Sequence, residues 1–354
     1  MRAIVYSSYP EEDPSFRLRM VPVIERLRER GYSVQSRSLF TTKMYRSRNR
    51  NTVYRLLVGG LLVCRMVGRA FSVTFQRHVD VVVVHREVFP FFLPMFEKVA
   101  FRRASFSILD FDDALYAEPS HGKDWRSWLR RPGRFSEAVR AADVVTASSP
   151  VLVKWASAHN SNVRLALTLP PVRPAVRWPD DGAPATVWIG SDSTLDQLRH
   201  RLRAIERATR QFGSTITVMA GDRAVIAHWP PGIVVTRWGS AEEAELLSKP
   251  AVGVMPLTSD EWAAGKGAFK ALLYMSAGWP VVLSPVGMNE WVVEQSGAGV
   301  LANSEEDWER SVAELLADSK RCSTLGERGR AWLEQVRGEL SLPEIVEQEL
   351  HDAR

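Results

Sequence analysis

Val252-Gly253-Val254-Met255-Pro256-Leu257, then Gly265-Lys266-Gly267-Ala268-Phe269-Lys270, then Pro280-Val281-Val282: this stretch reads as a buried strand, a glycine-bearing loop, a helix and the next strand of a parallel sheet. Glycines let a backbone approach a ligand closely, and a helix N-terminus offers N–H groups without intrahelical partners. Lys266 and Lys270 add positive charge. Together these features can cradle a phosphate; the alternative is a capping glycine with solvated lysines. The loop lacks the Gly-Lys-Ser/Thr spacing of a P-loop, so nucleoside-triphosphate hydrolysis is not indicated.

Working outward, strand-like and helical patterns alternate along the whole chain, which predicts an α/β protein with parallel sheets. Strands are predicted at 3–6, 79–84, 105–109, 143–147 and 163–167, and again at 187–189, 215–220, 232–236, 252–256 and 280–284. Residues 15–30 form an amphipathic helix with Ser15 as its N-cap. Leu195, Leu198, Leu202, Ile205 and Phe212 mark one face of another, and paired helices fall near 305–317 and 321–336. Between the two series, Pro170, Pro171, Pro174, Pro179 and Pro184 exclude helix and inner strand. The expected domains are therefore 1–168 and 185–335, with a proline-rich linker at 169–184. Ser341-Leu342-Pro343-Glu344 reads as a capping box, and the terminal segment 336–354 is expected to be a helix crossing back to the first domain.

The 354 residues, 45% hydrophobic and 25% charged, suit two such domains. Cys64 and Cys322 are the only cysteines, which excludes a disulfide framework and a clustered-thiol metal site. The start has no signal-peptide pattern, and the longest apolar run, 56–64, is far too short to span a membrane. A cytoplasmic protein is expected.

The net charge of +5 divides unevenly, with +12 over residues 1–170 and −7 over the remainder. Residues 31–79 hold nine basic side chains and no acid. Such a field favours a nucleic acid, a phospholipid surface or a phosphorylated acceptor, or else is a solvated basic face. Leu56, Leu57, Leu61 and Leu62 beside Arg46, Arg48, Arg50 and Arg55 would suit peripheral contact with the inner face of a membrane.

Asp110-Phe111-Asp112-Asp113-Ala114 follows a predicted strand and so lies at a sheet edge, as does His85-Arg86-Glu87. The acidic run could bind a metal, could supply Asp110 as a phosphatase nucleophile, or could hold sugar or acceptor hydroxyls. His85 there is as readily a packed residue as a base. Arg17 is a candidate for phosphate or an anionic acceptor, and Trp238 for a base pocket or, more simply, the core.

Residues 252–303, through Ser284-Pro285-Val286-Gly287-Met288-Asn289 and Gly297-Ala298-Gly299, closely resemble the donor domain of glycosyltransferase family 4. His85-Arg86-Glu87, the acidic run and Trp188-Ile189-Gly190-Ser191 resemble the matching parts of the same family. The resemblance implies a GT-B fold, in which two doubly wound Rossmann-like domains face a central cleft. It also implies metal-independent, cofactor-free transfer of a sugar from a nucleotide-diphosphate sugar with retention. The acceptor would be anionic or lipid-linked, as in polysaccharide biosynthesis, and nucleic acid is not an expected partner. The donor would be held by Gly190, Ser191, Gly265, Lys266, Gly267, Lys270 and Asn289. Asp112 and Asp113 would act in catalysis by orienting hydroxyls, and Arg17, Arg86 and Glu87 would lie on the acceptor side. One departure stands out. The family carries two glutamates eight residues apart, and this chain has Gly265 and Leu273 there. Leucine cannot accept a hydrogen bond from a ribose hydroxyl.

Overall fold

The computed structural model describes residues 1–46, 52–89, 94–117, 132–178 and 183–353. Their contacts form two compact units: Met1–Thr168 with Gly265–Gly267 and Glu339–Arg354, and Leu169–Ala264 with Ala268–Gly338.

The first unit runs β1 (Arg2–Ser7), α1 (Pro14–Glu29), β2 (Ser33–Ser38), α2 (Thr42–Arg46), α3 (Thr52–Thr74), β3 (Val79–His85), α4 (Pro94–Arg102), β4 (Ala104–Phe111), α5 (Phe135–Ala141), β5 (Val144–Ala147), α6 (Pro150–Ser157) and β6 (Val163–Leu165). All its strands pair in parallel, in the order β2-β1-β3-β4-β5-β6. Parallel strands covered on both faces need β-branched side chains throughout, and Val79, Val81, Val82, Val83 and Val84 supply them. The strand Ser33–Ser38 escapes sequence reading because it is polar; it lies at the sheet edge, where burial is slight. Asp13, not Ser15, caps α1, its carboxylate accepting from the N–H groups of Ser15 and Phe16. That frees the Ser15 hydroxyl for the site described below.

The second unit runs β7 (Ala185–Ile189), α7 (Leu195–Arg199), α8 (Leu202–Gln211), β8 (Ile216–Ala220), α9 (Asp222–Val225), β9 (Ile233–Arg237), α10 (Ser240–Leu247), β10 (Ala251–Met255), α11 (Glu261–Ala264), α12 (Phe269–Ser276), β11 (Val281–Leu283), α13 (Met288–Ser296), β12 (Gly299–Leu301), α14 (Glu305–Ala317) and most of α15 (Ser319–Leu340). Its sheet order is β12-β11-β10-β7-β8-β9, again parallel. The helix predicted from Leu195 to Phe212 is two helices, and Phe212 follows the second with its ring partly in solvent.

The last helix, α16 (Leu342–Asp352), belongs to the first unit. Its Leu342, Ile345, Val346 and Leu350 pack with Phe16, Met20, Val23, Ile24 and Leu27 of α1, and Arg26 pairs with Glu344 and Glu347. Ser341 is its N-cap residue, yet its side chain makes no capping bond, so the expected box is not formed there. Ser304 and Asp307 form one at α14 instead.

In open parallel sheets, ligands bind beyond the C-terminal strand ends where the strand order reverses. Those points are β1/β3 in the first sheet and β7/β10 in the second.

Candidate functional site

At the β1/β3 edge of the first unit the chain assembles a charged cluster from four strand ends. Asp110, the seventh residue of β4, is wholly buried. Arg19, one helical turn beyond Ser15, grips it with Nε at 2.9 Å and Nη2 at 2.5 Å. The third guanidinium nitrogen donates to the Ala166 carbonyl and the Thr168 hydroxyl. Thr146 donates to Asp110 from β5 at 2.7 Å, and His85 Nδ1 lies 2.8 Å from Oδ2. Burial pushes the Asp110 carboxyl up, but Arg19 and then His85 more than reverse this and bring it to about 2.

His85 Nε2 lies 2.9 Å from Ser15 Oγ, which also donates to Asp112 at 2.5 Å. Two guanidinium groups, Arg19 and Arg86, face three carboxylates, with His85 between Asp110 and Ser15. Arg86 spans the outer pair, Nε to Asp112 at 2.6 Å and Nη2 to Asp113 at 2.9 Å. It adopts φ 64°, the left-handed region a side chain rarely occupies, while its N–H donates to the Asp110 carbonyl. Burial opposes the charge on Arg86 and on Asp112, but each outweighs this for the other: the guanidinium is held well above its usual range and the carboxyl well below. Glu87 is buried behind Arg86, and Arg17 is half-buried on α1.

This geometry removes one of the readings open at the sequence level. An Asp110 nucleophile would need an accessible carboxylate oxygen. Both of its oxygens are engaged and neither reaches solvent. Arg86 takes one oxygen of each outer carboxylate, Oδ1 of Asp112 and Oδ2 of Asp113. Among the described residues no cluster of His, Cys, Asp and Glu has metal-binding geometry.

At the β7/β10 edge of the second unit, Trp188 ends up wholly buried with its ring folded over Gly190. A Cβ at Gly190 would lie 2.3 Å from that ring, so glycine is required by packing. Lys270, in the first turn of α12, places Nζ 4.4 Å from a Trp188 ring centroid and 3.2 Å from the Thr194 hydroxyl. Cation–π contact fixes the ammonium with little loss of charge. Ser191 is exposed beside it in sequence and bonds Ser193. Asn289 is wholly buried, its Nδ2 donating to the Ser284 carbonyl. Leu273 is buried on α12. Trp238 is neither core nor free-standing, since it is partly exposed and donates to Glu243.

The structure thus brings together Arg86, Asp112 and Asp113 in the first unit, and Gly190 and Lys270 in the second. Gly265, Lys266 and Gly267 fall with the first unit: a Cβ on Gly265 would meet Ala114 at 2.6 Å, and one on Gly267 would meet Ser148 at 2.8 Å. Their glycines are thus explained by packing. Ser15, Arg19, Thr146, Trp188 and Thr194 escape sequence reading as site residues. Arg19 alone leaves a signal, a basic residue on the apolar stripe of Phe16, Met20 and Val23.

Residues 183–318 match the family model described as Glycosyl transferases group 1. No curated protein matches the chain. Solved structures with the same fold include sucrose-phosphate synthase from Thermosynechococcus elongatus, 13% identical, covering 99% of this chain and 98% of that one at a TM-score of 0.66. The UDP-forming α,α-trehalose-phosphate synthase from Burkholderia vietnamiensis is 13% identical, with 99% and 100% covered and a TM-score of 0.63. WaaG, a glycosyltransferase involved in lipopolysaccharide biosynthesis, is 12% identical, with 99% of each chain covered and a TM-score of 0.62. Identity this low speaks for the fold, and the match over 183–318 speaks for the chemistry of the second unit. By the two together, the chain has the GT-B fold, and its second unit carries a segment of the group 1 glycosyl transferase type over residues 183–318.

Proposed function

We propose that this chain moves a sugar from a nucleotide-diphosphate sugar to an acceptor with retention at the anomeric carbon, without a resident cofactor or metal. The observation that carries the reading is Lys270, whose ammonium stands at the strand-order reversal of the group 1 segment beside Thr194 and Gly190. Negative charge accumulates on the diphosphate as the glycosidic bond breaks. A cation fixed there stabilises the transition state more than the bound donor. Ser191, Gly265, Lys266, Gly267 and Asn289 complete the proposed donor side.

Asp112 and Asp113 orient hydroxyls, held by Arg86 and Ser15 at a fixed angle, and need no nucleophilic role. Arg17, Arg86 and Glu87 lie on the acceptor side of the proposal. The acceptor is anionic or lipid-linked, and the protein works at the cytoplasmic face of the inner membrane as a peripheral enzyme. No helix among the described residues is long and apolar enough to cross a membrane.

Leu273 favours a second reading. A buried leucine where the family resemblance places a ribose-binding glutamate suits a protein that binds nucleotide sugars without turning them over. Thermal unfolding with a panel of nucleoside diphosphates and nucleotide sugars tests both. A ligand at a hundredfold its Kd adds about 2.7 kcal/mol to stability. Stabilisation with release of nucleoside diphosphate supports transfer, and stabilisation without release across an acceptor panel favours the binder. No stabilisation by any nucleotide removes both.

A further inference from the structure

Helix α3 is built inside out. A surface helix buries apolar side chains and exposes charged ones. Here the charged side chains Arg65 and Arg69 point inward. Arg65 donates to the carbonyls of Ser38 and Leu39, and Arg69 donates to those of Ser7, Val88 and Arg37. Arg69 is buried, and burial lowers it only to about 10, so it remains a cation at neutral pH. The opposite face carries Leu61, Val63, Val67 and Phe71, with Phe75 just past the helix end, each between 51% and 72% exposed. Gly60, Cys64, Gly68 and Thr74 fill the rest of that face, with Ser72 at its edge, and none of the exposed residues from 59 to 75 is charged. From Val63 to Phe75 the stripe is about 18 Å long. Phe71 and Phe75 stack within it, 6.1 Å apart.

Scattered apolar residues on a surface need no explanation, but a contiguous stripe with its charges turned inward does. We propose that this face of α3 is the surface by which the protein lies on an anionic lipid bilayer. The argument for lipid is charge complementarity. Residues 31–79 carry nine basic side chains and no acid, among them Lys43 and Arg77, both exposed. A second copy of the chain would set positive charge against positive charge, whereas an anionic leaflet attracts it. No helix among the described residues is long and apolar enough to cross a membrane, and α3 lies flat, its apolar face sinking about 5–10 Å. This identifies the surface behind the peripheral reading above and rests on that reading, but not on sugar transfer. The apolar contact expected of Leu61 is kept, and Leu62 is half-buried instead. The side chains of Arg46, Arg48, Arg50, Arg55, Leu56 and Leu57 lie outside the described residues.

Co-sedimentation with vesicles of phosphatidylglycerol and phosphatidylcholine tests it, using wild type, Val67→Asp/Phe71→Asp and the conservative Phe71→Trp. Wild type is expected to pellet with these vesicles and not with phosphatidylcholine alone, less so as salt rises. The double aspartate variant, which removes only exposed groups, is expected to lose at least tenfold in partition with unchanged melting. In the Phe71→Trp variant, the indole emission added to that of the twelve native tryptophans, taken as the difference from wild type, is expected to shift to the blue on anionic vesicles. Pelleting of wild type and the double variant alike, or no emission shift, overturns this surface while leaving peripheral attachment intact. No pelleting of wild type overturns both. A concentration-dependent dimer without vesicles that the double variant abolishes also overturns it, in favour of a second copy.

Discussion

The two strand-end sites differ in how they treat charge. In the first unit, Arg19, Arg86, Asp110, Asp112 and Asp113 satisfy one another, and His85 and Ser15 tie the inner pair to the outer one. In the second, the edge presents hydroxyls, a glycine and an ammonium resting on an indole. The first is a closed electrostatic circuit, stiff before any ligand arrives; the second is arranged to receive negative charge from outside. A transferase needs both kinds of surface, one to orient hydroxyls without reorganising and one that holds a cation where charge develops on the leaving group.

Cutting the closed circuit should produce the largest effect. Arg19→Met removes the cation and leaves Asp110 ionised in a site without solvent. Breaking a buried pair in this way costs about 3–5 kcal/mol. Urea unfolding of the variant should show that loss in the first unit. Replacing both partners, Arg19→Met with Asp110→Leu, should recover part of it. If Arg19→Met alone unfolds with wild-type midpoint, the cluster is not the electrostatic unit described here.

Opening the second site should act on turnover instead. Lys270→Ala removes a cation–π contact of about 0.5–1 kcal/mol, so the apo protein should stay folded with a melting temperature within a few degrees. Its turnover, once a donor and acceptor are in hand, should fall by about 3 kcal/mol in activation free energy, roughly a hundredfold. Wild-type turnover in this variant would place the phosphates elsewhere. Unfolding would make the lysine structural and erase the contrast between the sites.

The same contrast explains what the sequence can and cannot reveal. Strands such as Val79–His85 and Ala251–Met255 are legible because burial on both faces demands continuous apolar runs. Ser33–Ser38 is not, because an edge strand owes its place to backbone pairing with β1 rather than to its side chains. At the second site, Gly190 and Lys270 stand at a loop and a helix start that local pattern can locate. The first site depends on pairs far apart in the chain: Arg19 meets Asp110 across 91 positions and Ser15 meets Asp112 across 97. No local spacing encodes such a meeting. Ser15 also looks like a cap because nothing in the sequence says that Asp13, two residues earlier, takes that role.

Acid should separate the two units by a smaller margin. Asp110 has an ordinary value of 3.8 and is brought to about 2 in the folded protein. The folded state therefore binds fewer protons than the unfolded chain between those values. A carboxyl depressed in this way adds stability that is complete above its unfolded value and is lost as pH falls through its folded one. For Asp110 the loss falls between about pH 4 and pH 2 and amounts to about 2 kcal/mol, at 1.36 kcal/mol per pH unit. Asp112, also held low, adds to it in the same direction and over a range reaching further into acid. The second unit has its own lowered acids, Glu245 and Asp307, but both are paired at the solvent-facing surface, where screening leaves little to lose. Hydrogen exchange measured at about pH 5 and about pH 3 should therefore show protection falling in β3 and β4 while β7 and β10 hold. Arg19→Met should flatten that pH dependence, because without the guanidinium the Asp110 carboxyl has lost its largest depressing influence. Equal losses in both sheets, or an unchanged slope in the variant, would show that acid acts on the molecule as a whole and that the first site is no more charge-dependent than the second.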